Sequence, residues 1–182
     1  MPKQSQETKL NLLKAAAQVV RDGGVAQLTL EAVAAQAQVS KGGLLYHYPS
    51  KQDLLMAMVT HLIELFEVAI AAKIEASGGE MSWLEAYVRL SFDPEHSQVV
   101  ESAGILAAIA SDPELLKPLR RQYQAWQSAC EASGLDSSLA TVVRLAADGL
   151  WFTELFEVSP LTEERRSQTL QALLDLIQEH KE

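Results

Sequence analysis

The sequence predicts an all-α protein of about nine helices, with an N-terminal helix-turn-helix head and a larger C-terminal helical body. Apolar residues recur at three- and four-residue spacing along most of the 182 residues. Strand-like alternation is scarce. Glycine and proline fall between the periodic stretches, where they punctuate rather than interrupt.

In the first helix, Leu10, Leu13, Ala17 and Val20 share one face, and Gly23-Gly24 ends it. Thr29 suits the N-cap of a second helix, and Glu31 in its first turn favours the positive end of the dipole. Leu30, Val33, Ala34 and Ala37 form the buried stripe of that helix, and Ala34, Ala35 and Ala37 permit close approach to its neighbours. Gln38 and Val39 make a turn, and Ser40 caps a third helix that runs to His47. Pro49 pushes Tyr48 out of helical geometry. Ser50 with Asp53 resembles a capping box and starts a fourth helix that extends to Lys73. Its apolar side is Leu54, Leu55, Met58, Leu62, Phe66 and Ala69.

The first clear loop is Ala76 to Glu80. Helices are expected over 82–91 and 97–110, with breaks at Asp93-Pro94 and Asp112-Pro113. Pro113 opens a polar helix to Ala132, with Pro118 imposing a kink or a late start, and Gly134 closes it. Two long helices follow over 136–157 and 162–180, separated by Ser159-Pro160. The head is read as residues 6–66, with the helix-turn-helix over 29–48, and the body as 67–182.

Net charge is −9, but it is unevenly distributed. Residues 1–52 carry six cations against three acids, a net +3, so the remainder carries −12. A basic head on an acidic body suits a protein whose head alone meets phosphate, although two ordinary solvated surfaces account for the same numbers. No apolar run reads as long enough to cross a bilayer, and residues 1–10 are too polar for a signal peptide. The single cysteine, Cys130, suits a small buried hydrophobe in a reducing cytoplasm.

No catalytic pattern stands out. His47, His61, His96 and His180 lack metal-ligand spacing, and no glycine-rich phosphate loop or nucleophile elbow is present. Nothing calls for a cofactor. Asp148 and Glu154 flank Trp151, where acids usually face solvent or pair, here with Arg144.

The stretch Ala37-Gln38-Val39-Ser40-Lys41-Gly42-Gly43-Leu44-Leu45-Tyr46-His47-Tyr48-Pro49-Ser50-Lys51-Gln52-Asp53-Leu54-Leu55 resembles the TetR family of transcriptional regulators. The family pattern is Ala-Gly-Val-Ser, a Gly-x-Leu-Tyr turn of helix, then His-Phe-x-Ser-Lys and an apolar pair. The likeness covers residues 8–66. Three positions depart: Gln38 replaces the turn glycine, Leu45 stands where many members carry a phosphate-contacting tyrosine, and Glu31 puts an acid near the DNA side.

A third helix pressed across the second and projecting from the surface fits the major groove, about 12 Å wide. Its exposed residues are Lys41, Gly42, Gly43, Tyr46 and His47, with Leu44 as the inward anchor. Each glycine costs the helix about 1 kcal/mol, which close approach of the backbone to DNA would justify, while a frayed first turn is the plainer reading. The resemblance implies phosphate contacts from His47 and Lys51; Thr29 at the start of the second helix is placed to donate to a phosphate, and Ser40 is a further DNA-binding candidate. Packing on Tyr48 is the competing role for His47, and capping alone explains Thr29.

The last two helices carry the stripes Leu139, Val142, Val143 and Leu150, and Leu170, Leu173, Leu174 and Ile177. They suit either the core of one subunit or a four-helix homodimer interface, and the resemblance implies the second. A two-fold dimer would read a palindromic operator on successive major grooves. The resemblance also implies an inducer cavity, for which Trp83, Tyr87, Leu106, Trp126, Trp151 and Phe152 are the lining candidates. The expected protein is therefore a ligand-released homodimeric repressor that acts on double-stranded DNA in the cytoplasm and engages no membrane. The alternatives are a regulator controlled by a protein partner, or a helical small-molecule carrier whose head no longer binds DNA.

Overall fold

The computed structural model describes residues 2–94, 114–155 and 158–180. Among them are eight α-helices and no strand. They are α1 (Pro2–Gly23), α2 (Leu30–Gln36), α3 (Lys41–His47), α4 (Lys51–Ala76), α5 (Trp83–Ser91), α6 (Lys117–Glu131), α7 (Ser137–Leu155) and α8 (Glu163–Glu179). A short 3-10 turn, Val25–Gln27, follows α1. The helix expected over 97–110 lies outside the described residues. The described residues fall into two compact units: 2–63 with 114–120, and 64–94 with 121–155 and 158–180.

Local chemistry explains where the helices begin. Thr29 accepts from the Ala32 amide at 3.1 Å and Ser40 from the Gly43 amide at 3.0 Å. Ser50 accepts from the Asp53 amide at 3.1 Å and donates to the Asp53 carboxylate at 2.6 Å. Ser82 and Thr162 cap α5 and α8 in the same way. Each cap satisfies an amide that the first helical turn leaves without a partner. The late start resolves the ambiguity at Pro118, because α6 begins at Lys117 and the proline sits in its first turn, where its missing N–H costs nothing.

In the first unit, α1 buries Leu12, Ala15, Ala16 and Val20. This corrects the expected stripe. Leu10 is exposed and Leu13 only half-buried, because the alanine run at 15–17 lets α1 rotate its closest contact away from the larger residues. α2 buries Val33 and Ala34, with Ala37 at its end, whereas Ala35 faces outward and plays no part in close packing. α3 contributes Leu44, and α4 adds Leu54, Leu55, Met58 and Val59. By length and apolarity α4 could cross a membrane, contrary to the sequence reading. Its first half is instead committed to this protein core.

The second unit packs α5 against α7 and α8. Leu84, Val88 and Leu90 of α5 meet Ala140, Val143, Ala147 and Leu150 of α7, with Leu173 and Ile177 from α8. Cys130 is fully buried, and burial pushes its thiol up to about 11.

At the turn between α2 and α3, Gln38 holds φ +56, the left-handed region that a non-glycine occupies only with strain. Gln38→Gly should raise stability by about 0.5–1 kcal/mol in a urea melt, with the slope of the transition unchanged. Equal or lower stability would show that the turn holds no strain.

Candidate functional site

The first site is built on α3. A helix of seven residues presents two sides, and here they differ sharply. Leu44 is completely buried, while Lys41, Gly42, Gly43 and Tyr46 face outward, Tyr46 with 82% of its surface accessible. Leu45 and His47 are half-buried at the flanks. Thr29 and Ser40, the caps of α2 and α3, are exposed, and so is Lys51, the first residue of α4. All three helix starts therefore combine exposed polar groups with the positive end of a helix dipole.

The glycines have different local settings. A side chain at Gly42 would meet only the Ser40 hydroxyl, at 3.9 Å, whereas one at Gly43 would come within 3.3 Å of that same oxygen. Gly43 thus protects the cap, and Gly42 has no packing reason to lack a side chain. The first turn is capped by Ser40 rather than frayed. The His47 ring stands edge-on to Tyr46, with centroids 5.1 Å apart. Tyr48 is buried and closes α3 in extended geometry, and burial raises its phenol. Glu31 does more than favour the α2 dipole: its carboxylate meets Lys41 Nζ at 2.5 Å. The Lys41 hydrogen bond, the local backbone and the Lys41 charge together hold this carboxyl below the usual carboxylate range.

Residues 12–58 match the model of the tetR family of bacterial regulatory proteins, and residues 81–178 match the tetracyclin repressor-like C-terminal domain. The chain belongs to the TetR family. As a TetR-family protein it is a DNA-binding transcriptional regulator. It is similar to a family member from Streptomyces coelicolor A3, with 26% identity and a TM-score of 0.70 over 92% of this chain and 98% of the other. A transcriptional regulator from Rhodococcus sp. Rha1 shares the fold at TM-score 0.74, with 18% identity over 96% of this chain and 98% of its own. The multidrug binding protein EbrR, solved with malachite green, superposes at TM-score 0.69 with 24% identity, covering 91% and 96%. No curated protein matches the chain.

The body of this TetR-family regulator holds a cluster of aromatic rings and charges. Phe66, Trp83, Tyr87, Tyr123 and Trp126 contact one another with centroids 5.0–5.6 Å apart. Of the ligand candidates, Trp83, Tyr87 and Trp126 therefore come together. Trp151 and Phe152 instead pack edge-on against each other, and Phe152 is 46% exposed. Leu106 lies outside the described residues.

Asp148 does not face solvent. It is buried, accepts from the Tyr87 hydroxyl and meets Arg144 at 2.5 Å. Arg144 also donates to Gln127 at 2.9 Å and lies 5.6 Å from the centre of the Tyr123 ring. Burial raises the Asp148 carboxyl, against the Tyr87 hydrogen bond and the Arg144 charge. Burial also raises both tyrosine phenols, and the Asp148 charge adds to the effect, so they stay protonated. Glu154 pairs with Arg166. Glu67 accepts from Gln122 at 2.9 Å and from the Trp126 indole.

The expected dimer stripes need correction. Val143, Leu150, Leu173 and Ile177 are buried within their own unit, where they cannot also form an outer face. Leu139, Leu170 and Leu174 are half-buried. Val142 is 57% exposed and shares its face of α7 with Leu145, Gly149 and Phe152. Sequence reasoning missed Leu145, Glu67 and Tyr123. Leu145 carried a signal, since it lies three residues from Val142 and seven from Phe152.

Arg144→Ala should destabilise the protein by about 3–5 kcal/mol, because it leaves Asp148 buried and without its cation. Arg144→Met with Asp148→Leu should recover most of that loss in denaturant melts. A single variant that melts like the parent would mean that the pair is solvated.

Proposed function

We propose that this regulator represses transcription as a cytoplasmic homodimer on a palindromic operator and releases it when a small, mostly apolar organic cation binds the body. The observation that carries the reading is α3 itself, a short helix anchored by Leu44 with Lys41, Gly42, Gly43 and Tyr46 turned outward. Such a helix fits the major groove, with Lys41 and Tyr46 at base edges and the two glycines admitting the DNA closely. Thr29, Ser40, His47 and Lys51 surround it as phosphate contacts. The Thr29 and Ser40 oxygens accept capping bonds, which leaves their O–H groups to donate.

Dimerisation draws support from α7. Val142, Leu145 and Phe152 make an exposed apolar row, with Gly149 between them allowing a partner helix close. Two-fold packing of this row would set the two α3 helices on one operator, about 34–36 Å apart.

The ligand class follows from the aromatic cluster. Glu67 is half-buried among rings, and its donors there are neutral groups, a glutamine amide and an indole. A cation with flat apolar surface would satisfy both the carboxylate and the ring faces. EbrR has been solved with malachite green and with ethidium, which fit this description. Release requires that the ligand bind the non-DNA arrangement more tightly.

Selection of bound fragments from genomic DNA should return a palindrome, and Lys51→Ala should weaken its binding about fivefold to tenfold while lowering the salt slope by about one. Failure to recover any bound fragment would reject the regulator and favour a ligand carrier. Leu145→Glu should shift sedimentation from dimer to monomer. Ethidium should raise the melting temperature and weaken operator binding in the parent but not in Glu67→Gln; no effect in the parent would reject the ligand class.

A further inference from the structure

Lys41 enters the candidate DNA interface already engaged. It opens α3, Glu31 stands in the first turn of α2, and their charged ends are 2.5 Å apart. The pair spans two helices rather than one turn of a single helix. Both side chains are more than half exposed, so the pair adds little to folding. Its effect must be sought where the two groups point.

A bare lysine at the head of a recognition helix binds any phosphate within reach, and each such contact releases a counterion whatever the sequence. Glu31 opposes this in two ways. It cancels the Lys41 charge, and its carboxylate is itself repelled by phosphate. Parting the pair on DNA is favourable only where both groups find new partners. In the major groove a lysine is matched by guanine O6 and N7, and a carboxylate by the cytosine N4 amino group. One G·C pair offers both sets.

We infer that Glu31 is a specificity-determining residue that acts through Lys41: the pair suppresses sequence-independent binding and engages DNA where a G·C base pair receives both side chains. This inference rests on the reading that α3 enters the major groove. It makes an acid on the DNA face useful, where capping alone would leave it a liability.

The test compares the parent with Glu31→Gln, which keeps the shape and removes the charge. Binding is measured by fluorescence anisotropy over a salt series. The probes are the palindrome recovered by selection from random DNA and a mixed-sequence duplex of equal length. Glu31→Gln should bind the mixed duplex more tightly, with a salt slope steeper by about 0.9. The operator-to-mixed ratio should fall about tenfold, and reselection should lose a G·C preference at one position per half-site. Lys41→Gln added to Glu31→Gln should abolish the extra slope, while the melting temperatures stay equal. Unchanged slope and preference, or equal tightening on both probes, would overturn the role of Glu31 and leave the regulator intact. A parent that binds both probes alike would overturn both.

Discussion

A helix of seven residues does not hold its shape in water by itself. Everything asked of α3 therefore depends on how it is pinned. Leu44 is its single fully buried side chain, Ser40 satisfies the Gly43 amide of its first turn, and Tyr48 stops it. The turn before it is locked at Gln38 in a backbone geometry that few side chains adopt. Of these anchors, Leu44 and Tyr48 act on the side of α3 away from the exposed row. The outward side is thus free to be chosen for recognition, and the inward side is chosen for rigidity. Small residues make this possible, because Ala34 and Ala37 are buried on α2, the helix that packs on α3.

The second unit solves a different problem with charges. Arg144 and Asp148 sit inside an otherwise apolar and aromatic neighbourhood, held by Tyr87, Gln127 and the Tyr123 ring. Removing two charges from water is costly, and only dense hydrogen bonding offsets it. What such a network supplies is direction, since apolar rings alone slide past one another whereas a paired guanidinium and carboxylate fix one arrangement. Tyr87 and Tyr123 of this network also pack in the ring cluster assigned to the ligand, so the network shapes the place where binding is proposed.

Helix starts were legible in the sequence because a cap is local. Thr29, Ser40, Ser50, Ser82 and Thr162 each announce themselves by one side chain and the turn after it. The strain at Gln38 was equally legible, as a residue out of keeping with its turn. What remained hidden depends on partners distant in sequence. α7 is apolar on two sides, so periodicity alone could not separate Val143, which faces the core, from Val142, which does not. The alanine run in α1 blurred its phase by about a third of a turn. Glu31 and Lys41 lie on different helices, where the familiar spacing of ion pairs along one helix gives no hint.

Gly42 has a consequence of another kind. A side chain there would fit without displacing its neighbours, on the same outward side as Lys41 and Tyr46. It would also raise the helix-forming tendency of α3. The position is an unwritten letter in the recognition surface, and a single base change in the gene could fill it at no cost to folding. New operators would then come within reach, in exchange for the close approach that Gly42 allows on the old one.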